Sequence, residues 1–311
     1  MLSGIINIIK PAGMTSHDVV DVVRKKLGIK KVGHTGTLDP NAFGVLPICV
    51  GRATKISQYI TAKSKVYVAE IVLGITTDTE DSSGKVLEIK DASKVKKEEF
   101  VCVAMSFKGE IKQIPPMASA VKVHGRKLYD LHRKGIEIER TPRAVTIYDI
   151  KVLEFKEWGS KHPKAKFEVE CSKGTYIRTL CKDIGDKLKV GAHMASLIRT
   201  AVGNFKIENA IRLDDFAKSN SPDSLLNSID EALKDYPEVF IKPSAFKSVI
   251  SGAKLYLKGV HKKPKNLKEG QLIRLKINDE LIALATVQFD EKSSKILFKP
   301  VFVNVDVKDD I

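Results

Sequence analysis

The amino-acid sequence predicts an α+β protein in two parts. A large N-terminal domain has a mixed, mainly antiparallel sheet with flanking helices, and a small β domain follows it. Three observations carry that prediction. Runs with the two-residue period of strands recur between segments with the 3.6-residue period of helices. Tyr236-Pro237 marks a boundary, past which short β runs follow Gly252, Gly259 and Gly270. And 311 residues suffice for one large domain and a smaller one. The expected division is 1–236 and 237–311.

The first element is a strand, an apolar run over residues 4–9 ending at Lys10-Pro11. Ser16 is placed to cap a helix whose Val19, Val20, Val23 and Leu27 share one face, and Gly28 stops it. Beyond a glycine-rich loop, residues 45–50 read as a buried strand. Thr54 is placed to cap a short helix with Ile56, Tyr59 and Ile60 inside, and residues 65–73 alternate as a strand. The run TTDTEDSSGKV, residues 76–86, resembles a calcium loop in outline. Ser83 stands where such a loop needs glycine, and Ile89 where it needs a bidentate glutamate, so a hairpin turn is expected instead.

A helix over 95–107 aligns Phe100, Val103, Ala104 and Phe107. Pro115-Pro116 breaks the pattern. Residues 117–143 then carry Lys122, His124, Arg126, Lys127, His132, Arg133, Lys134 and Arg143 around a short helix near Leu128 and Leu131, a basic insertion spanning about 113–144. Strands near 145–155 and 165–171 are joined by a polar loop holding the only tryptophan, Trp158. Residues 171–188 turn from strand into a helix that buries Ile177, Leu180, Ile184 and Leu188. A further short helix is expected to hold Met194, Leu197 and Ile198. The polar SNSPDS stretch with Pro222 lies between helices, and LIRLKI, LIALATV and KILFKPVFV supply the strands of the C-terminal domain.

Composition narrows the class of partner. Lys and Arg number 53 against 38 Asp and Glu, a formal charge of +15, which favours a polyanion, with nucleic acid first. The N-terminus lacks the pattern of a signal peptide, and no apolar run approaches the ~18 residues of a membrane span, so a soluble, cytoplasmic protein is expected. Cys49, Cys102, Cys171 and Cys181 form no C-x-x-C pair. No His/Cys cluster has zinc-ligand spacing, so no metal is expected.

Against that basic background one acid stands out. In KKVGHTGTLDPNAFGVLP, residues 30–47, Asp39 is the only acid between Asp21 and Glu70. Asp39-Pro40 alone is a common turn. Here Gly33, Gly36 and Gly44 allow close backbone approach to a ligand, and His34 lies five residues before the acid. The string G-x-x-x-x-G-K-[ST] of a P-loop is absent.

The stretch GHTGTLDPNAFGVLPICVGRATK, with KPAGMTSHDVV before it, KVYVAEIVLGITTDTED after it and CSKGTYIRTLCKDIG further on, resembles the TruB family of tRNA pseudouridine synthases. The likeness runs in order from about Ile5 to Gly203, and the C-terminal β domain looks like that family's barrel-like PUA RNA-binding domain. The resemblance implies a pseudouridine synthase fold and isomerisation of the T-loop uridine at tRNA position 55, without metal or organic cofactor. Dyskerin-type relatives instead act within guide-RNA particles; here a monomer that takes the T-arm stem-loop of free tRNA and needs no obligate protein partner is expected.

It further implies roles for named residues. Asp39 is the nucleophile, suited equally to attack at C6 of the base or at C1′ of the sugar. Arg178 is the cation that keeps it ionised by lowering its pKa. Tyr67, on the inward parity of its strand with Ala69, Ile71 and Leu73, stacks on the flipped uracil and assists removal of the C5 proton. Tyr176 and Leu197 line the pocket, His34 fills the stack vacated by the flipped base, and Lys10 supports the active loop or contacts phosphate. The basic insertion and the stretch LYLKGVHKKPKNLKEG would grip phosphates. The chain departs from the family pattern at Ala118, where tyrosine is usual, and at His132, where a small residue is common.

Overall fold

In the computed structural model residues 2–119, 121–123, 125–290 and 296–304 are described. His124 and the side chains of Lys122, Lys127 and His132 in the basic insertion lie outside the described residues.

A ten-stranded mixed sheet organises the first part. Its main elements are β1 (Gly4–Lys10), α1 (Ser16–Leu27), β2 (Phe43–Val50), β3 (Lys65–Leu73), α2 (Lys97–Met105), β4 (Gly109–Gln113), β5 (Arg143–Lys156), β6 (Lys164–Cys171), α3 (Ile177–Lys187), β7 (Ala192–Val202) and β8 (Ile211–Arg212). The strand order is β8-β1-β2-β7-β3-β6-β5-β4. The β1–β8 and β2–β7 pairs are parallel and the other neighbours antiparallel. One face packs Ile6, Ile8, Leu46 and Ile48 against Val19, Val20 and Val23 of α1. A second cluster, including Ala69, Ile71, Phe167 and Val169, packs against Phe100 of α2 and Leu180 and Ile184 of α3. Trp158 closes an edge of it, its indole N–H donating to Val95 O at 3.0 Å while its ring meets Phe155 and Phe100 edge-on.

Three local expectations change. The N-cap of α1 is Thr15, in a capping box with Asp18, and not Ser16. That frees the Ser16 hydroxyl, which accepts from Leu38 N–H at 2.9 Å and so ties the helix to the loop before Asp39. Thr54 caps nothing: it lies inside a 3-10 turn, Gly51–Ile56, that precedes the helix Ser57–Thr61. The segment with Met194, Leu197 and Ile198 is strand β7 and not a helix. Register shifts between Met194 and Ser196, and between Arg199 and Ala201, add residues to the strand. They give its apolar positions a helix-like three-residue step, while Leu197, Arg199 and Ala201 keep strict alternation of burial. Strand β4, unforeseen from the sequence, forms the sheet edge from which the insertion leaves.

The insertion has a small core of its own, Met117, Leu128 and Leu131 backed by Val121, Val123 and Ile138. The second sheet is six-stranded, in the order Leu255–Tyr256, Ile296–Val303, Glu280–Phe289, Leu272–Ile277, Glu238–Ile241 and Val260–Lys262. It meets the first part through shared apolar packing, with Leu281, Leu284 and Phe302 against Ile5, Val45 and Ile229. Buried Arg274 and Lys276 both bridge Asp230 and Glu238, at 2.7 to 3.2 Å.

Candidate active site

The loop carrying Asp39 is fastened before any substrate arrives. Lys10, at the end of β1, is fully buried, and its ammonium donates to the carbonyls of Pro11 (2.8 Å), Met14 (2.7 Å) and Pro40 (2.9 Å). These contacts tie the Lys10 ammonium to the backbone on both sides of the loop. Burial pushes its pKa down to about 8, the nearby Asp39 opposing. Lys10→Ala leaves three carbonyls without their donor and is expected to cost about 2 kcal/mol of stability, read as a lower urea midpoint at unchanged slope.

Asp39 faces Arg178, which enters from the first turn of α3. Arg178 Nε lies 3.0 Å from Asp39 Oδ2, and Nη2 donates to Oδ1 at 3.2 Å, a two-pronged pair. The rest of the guanidinium is also engaged. Nη1 lies 3.4 Å from Asp81 Oδ2 and donates to Thr79 O at 3.2 Å, and Nη2 donates to Ala118 O at 3.0 Å. One buried cation thus joins the Asp39 loop, the 77–82 turn and the base of the insertion. Since the contact at Ala118 is made by its carbonyl, the missing tyrosine side chain does not remove it. Asp81 is a member of the site that sequence reading took for turn; the signal was a run of acids, Asp78, Glu80 and Asp81, in a basic protein.

The electrostatic expectation is met only in part. Arg178 does pull the Asp39 carboxyl downward, but withdrawal from water outweighs it and the net direction is upward, with Asp81 adding to the rise. The Asp39 side chain is still 39% exposed, so it is open to a ligand from one side. If Asp39 must be ionised to react, the single-turnover rate falls as pH is lowered, with a midpoint above the 3.8 of an ordinary aspartate. A rate profile between pH 4 and 8 measures it.

Tyr67 in β3 is buried and shares one apolar cluster with Leu197 of β7 and with Leu38 and Ala42 of the loop. Burial raises its pKa, while the charge of Arg199, its partner across the strands, lowers it. Tyr176 is the N-cap of α3, and its backbone is held by Gln113 at the end of β4. Tyr176 N–H donates to Gln113 Oε1 at 3.0 Å, and Gln113 Nε2 donates to Tyr176 O at 3.2 Å. His34 Nδ1 accepts from Gly36 N–H at 3.2 Å, and burial lowers its pKa, so the ring is neutral. The site therefore gathers Asp39, Arg178, Tyr67 and Leu197 from four separate segments, with Tyr176 at the start of the Arg178 helix and His34 and Lys10 flanking the Asp39 loop. Gln113, Asp81 and Arg199 were not singled out beforehand. Among the described residues no group of three or more His, Cys, Asp or Glu could hold a metal ion, and no helix is long and apolar enough to cross a membrane.

This fold, with a loop carboxylate held by a buried helix arginine, is that of a pseudouridine synthase. Known proteins agree. Residues 24–177 match the model of the TruB family pseudouridylate synthase N-terminal domain, and residues 178–234 the tRNA pseudouridylate synthase B C-terminal domain. The chain is 44% identical over 308 residues to tRNA pseudouridine synthase B of Pelotomaculum thermopropionicum, covering 97% of both chains. It is 51% identical over 256 residues to that of Alkaliphilus oremlandii, covering 82% of this chain and 83% of the relative. Among solved structures it is similar to a chain of a Cbf5-Nop10-Gar1 complex, with TM-score 0.76 and 33% identity over 96% of this chain and 84% of that one. A chain of an H/ACA RNP bound to a substrate RNA aligns with TM-score 0.75 and 30% identity, over 97% and 85%. The protein belongs to the TruB family of pseudouridine synthases.

Proposed function

We propose that this protein isomerises uridine to pseudouridine in tRNA, at position 55 of the T-loop, with Asp39 as the nucleophile. The observation that carries the proposal is the two-pronged Asp39–Arg178 pair, on a loop whose Leu38 and Ala42 share an apolar cluster with Tyr67 and Leu197. The reaction breaks the bond from N1 to C1′, turns the uracil and forms a bond from C5 to C1′; the C5 proton leaves and N1 gains one, so the product is an isomer.

Each site residue has a task in that sequence. The target base is flipped out of its stack into the pocket, where Tyr67 supplies an aromatic face and Leu197 and Tyr176 the walls. The neutral ring of His34 takes the vacated place in the RNA stack. Arg178 keeps the Asp39 carboxylate aimed and ionised against the cost of its burial. Lys10 acts on the loop from beneath. This chemistry needs no metal or organic cofactor.

The T-arm lies against the basic insertion, where Arg126, Arg133 and Lys134 are exposed, and against the basic segment of the C-terminal sheet. That sheet, residues 237–311, is read as a PUA-like domain following a catalytic domain of residues 1–236. A hollow of about 480 Å³ there, lined by Phe240, Lys242, His261 and Lys262 among others, combines an aromatic face with cations. The protein is expected to act in the cytoplasm as a monomer on free tRNA. The test is single-turnover formation of pseudouridine in an unmodified tRNA transcript, with no cofactor added. Conversion at the T-loop supports the reading; tight binding without conversion would overturn it in favour of a non-catalytic RNA-folding role.

A further inference from the structure

Arg199 is among the largest fully buried side chains, 1% exposed, and no carboxylate among the described residues is paired with it. Its nitrogens go instead to backbone carbonyls. Nε donates to Val45 O at 2.7 Å, Nη1 to Thr37 O at 3.3 Å and Nη2 to Gly36 O at 3.1 Å. Burying a cation without a counter-ion is costly, and here the cost falls at the stem of the loop that presents Asp39.

The surrounding backbone is shaped to admit it. Gly44, at φ +120°, pairs with Arg199 across β2 and β7, and a Cβ there would meet the Arg199 carbonyl oxygen at 2.2 Å. Gly36, at φ +147°, turns its carbonyl onto the guanidinium. On the other flank Arg199 sits directly opposite Tyr67 in the β3–β7 register, so the two side chains leave the sheet on the same face. A single residue thus holds the nucleophile's loop through its planar fork and faces the stacking tyrosine across the neighbouring strand.

We infer that Arg199 is a positioning residue of the isomerase. By holding the carbonyls of Gly36 and Thr37 while its strand pairs it directly with Tyr67, it sets the separation at which Asp39 and Tyr67 meet the same base. The inference rests on the isomerase reading above. Lysine in its place keeps the charge but cannot reproduce a rigid fork of donors. A displacement of about 1 Å at the reacting groups costs roughly 100-fold in rate.

The experiment is a double-mutant cycle on pseudouridine formation in a tRNA transcript. Arg199→Lys, Tyr67→Phe and the pair are measured at saturating enzyme, with Kd for the transcript obtained separately by filter binding. Arg199→Lys is expected to lose roughly 100-fold in single-turnover rate with Kd within about twofold of wild type. The loss in the pair should fall clearly short of the product of the single losses. Losses that multiply, or a Kd that worsens as much as the rate, would overturn the inference. Should the Arg199 variant fail to fold, Gly36→Ala leaves the arginine in place and displaces one of its acceptors; a fall in rate at unchanged Kd supports the inference and a wild-type rate refutes it. A wild-type protein that binds RNA and forms no pseudouridine would instead refute the isomerase reading itself.

Discussion

Asp39→Asn is expected to abolish pseudouridine formation, with a rate loss of roughly 10⁴-fold or more, while tRNA binding stays within about threefold of wild type. The amide keeps the shape of the carboxylate and one acceptor toward Arg178, so the pocket survives and only the proposed nucleophile is lost. The same change separates function from stability. The Asp39 carboxyl is raised in the folded protein, first by burial and then by Asp81. A raised folded value means that the stability contributed by this group is present below the unfolded pKa and is lost as pH rises through the folded one. At pH 7 the ionised side chain therefore burdens the fold, and asparagine, which resembles the protonated form, relieves it. Thermal melting at pH 7 is expected to show a midpoint unchanged or higher. A variant that turned over normally would refute the nucleophile assignment, and one that was inactive but melted well below wild type would refute the electrostatic account.

The second large effect belongs to Arg178. Arg178→Ala removes the cation shared by Asp39 and Asp81, together with the donors to Thr79 O and Ala118 O. Two acids then face one pocket with no charge between them, and Asp39 takes up a proton or swings outward. A loss of about 10³-fold in single-turnover rate is expected, comparable to removal of a principal electrostatic group elsewhere. Affinity for tRNA should change little, because the guanidinium is buried and all its contacts are internal. The acid limb of the pH profile should also move upward in the residual activity, since the largest downward pull on Asp39 has gone. Equal losses in rate and affinity would instead make Arg178 a phosphate contact. Stability should fall by about 2 kcal/mol as the carbonyls of Thr79 and Ala118 lose their donor, so the assay belongs well below the variant's melting point.

These expectations depend on very different ranges of sequence. Glycine at position 28 ends α1 in the left-handed conformation, as its place after the apolar face implies. The alternation in residues 65–73 is a strand over those same residues, with Tyr67 on the inward parity. Such features depend on a few neighbours and are legible. The error at β7 has the same local origin, because two bulges counterfeit a helical step, and only pairing with β3 and β2 shows that the segment runs through the middle of the sheet.

What the sequence by itself determined is the periodicity of its strands and helices, the singular acid in the glycine loop, and a family likeness strong enough to suggest Arg178 and Tyr67 as partners. Only the tertiary structure decided that Asp81 shares Arg178, that Ser16 ties α1 to Leu38 instead of capping it, and that Lys10 and Arg199 spend their charges on backbone carbonyls. It also decided the direction in which the Asp39 carboxyl moves. The physical reason is common to all of these. Asp39 and Arg178 stand 139 positions apart, and Arg199 lies 163 from Gly36. Desolvation depends on everything packed around a group, which no short stretch of chain records.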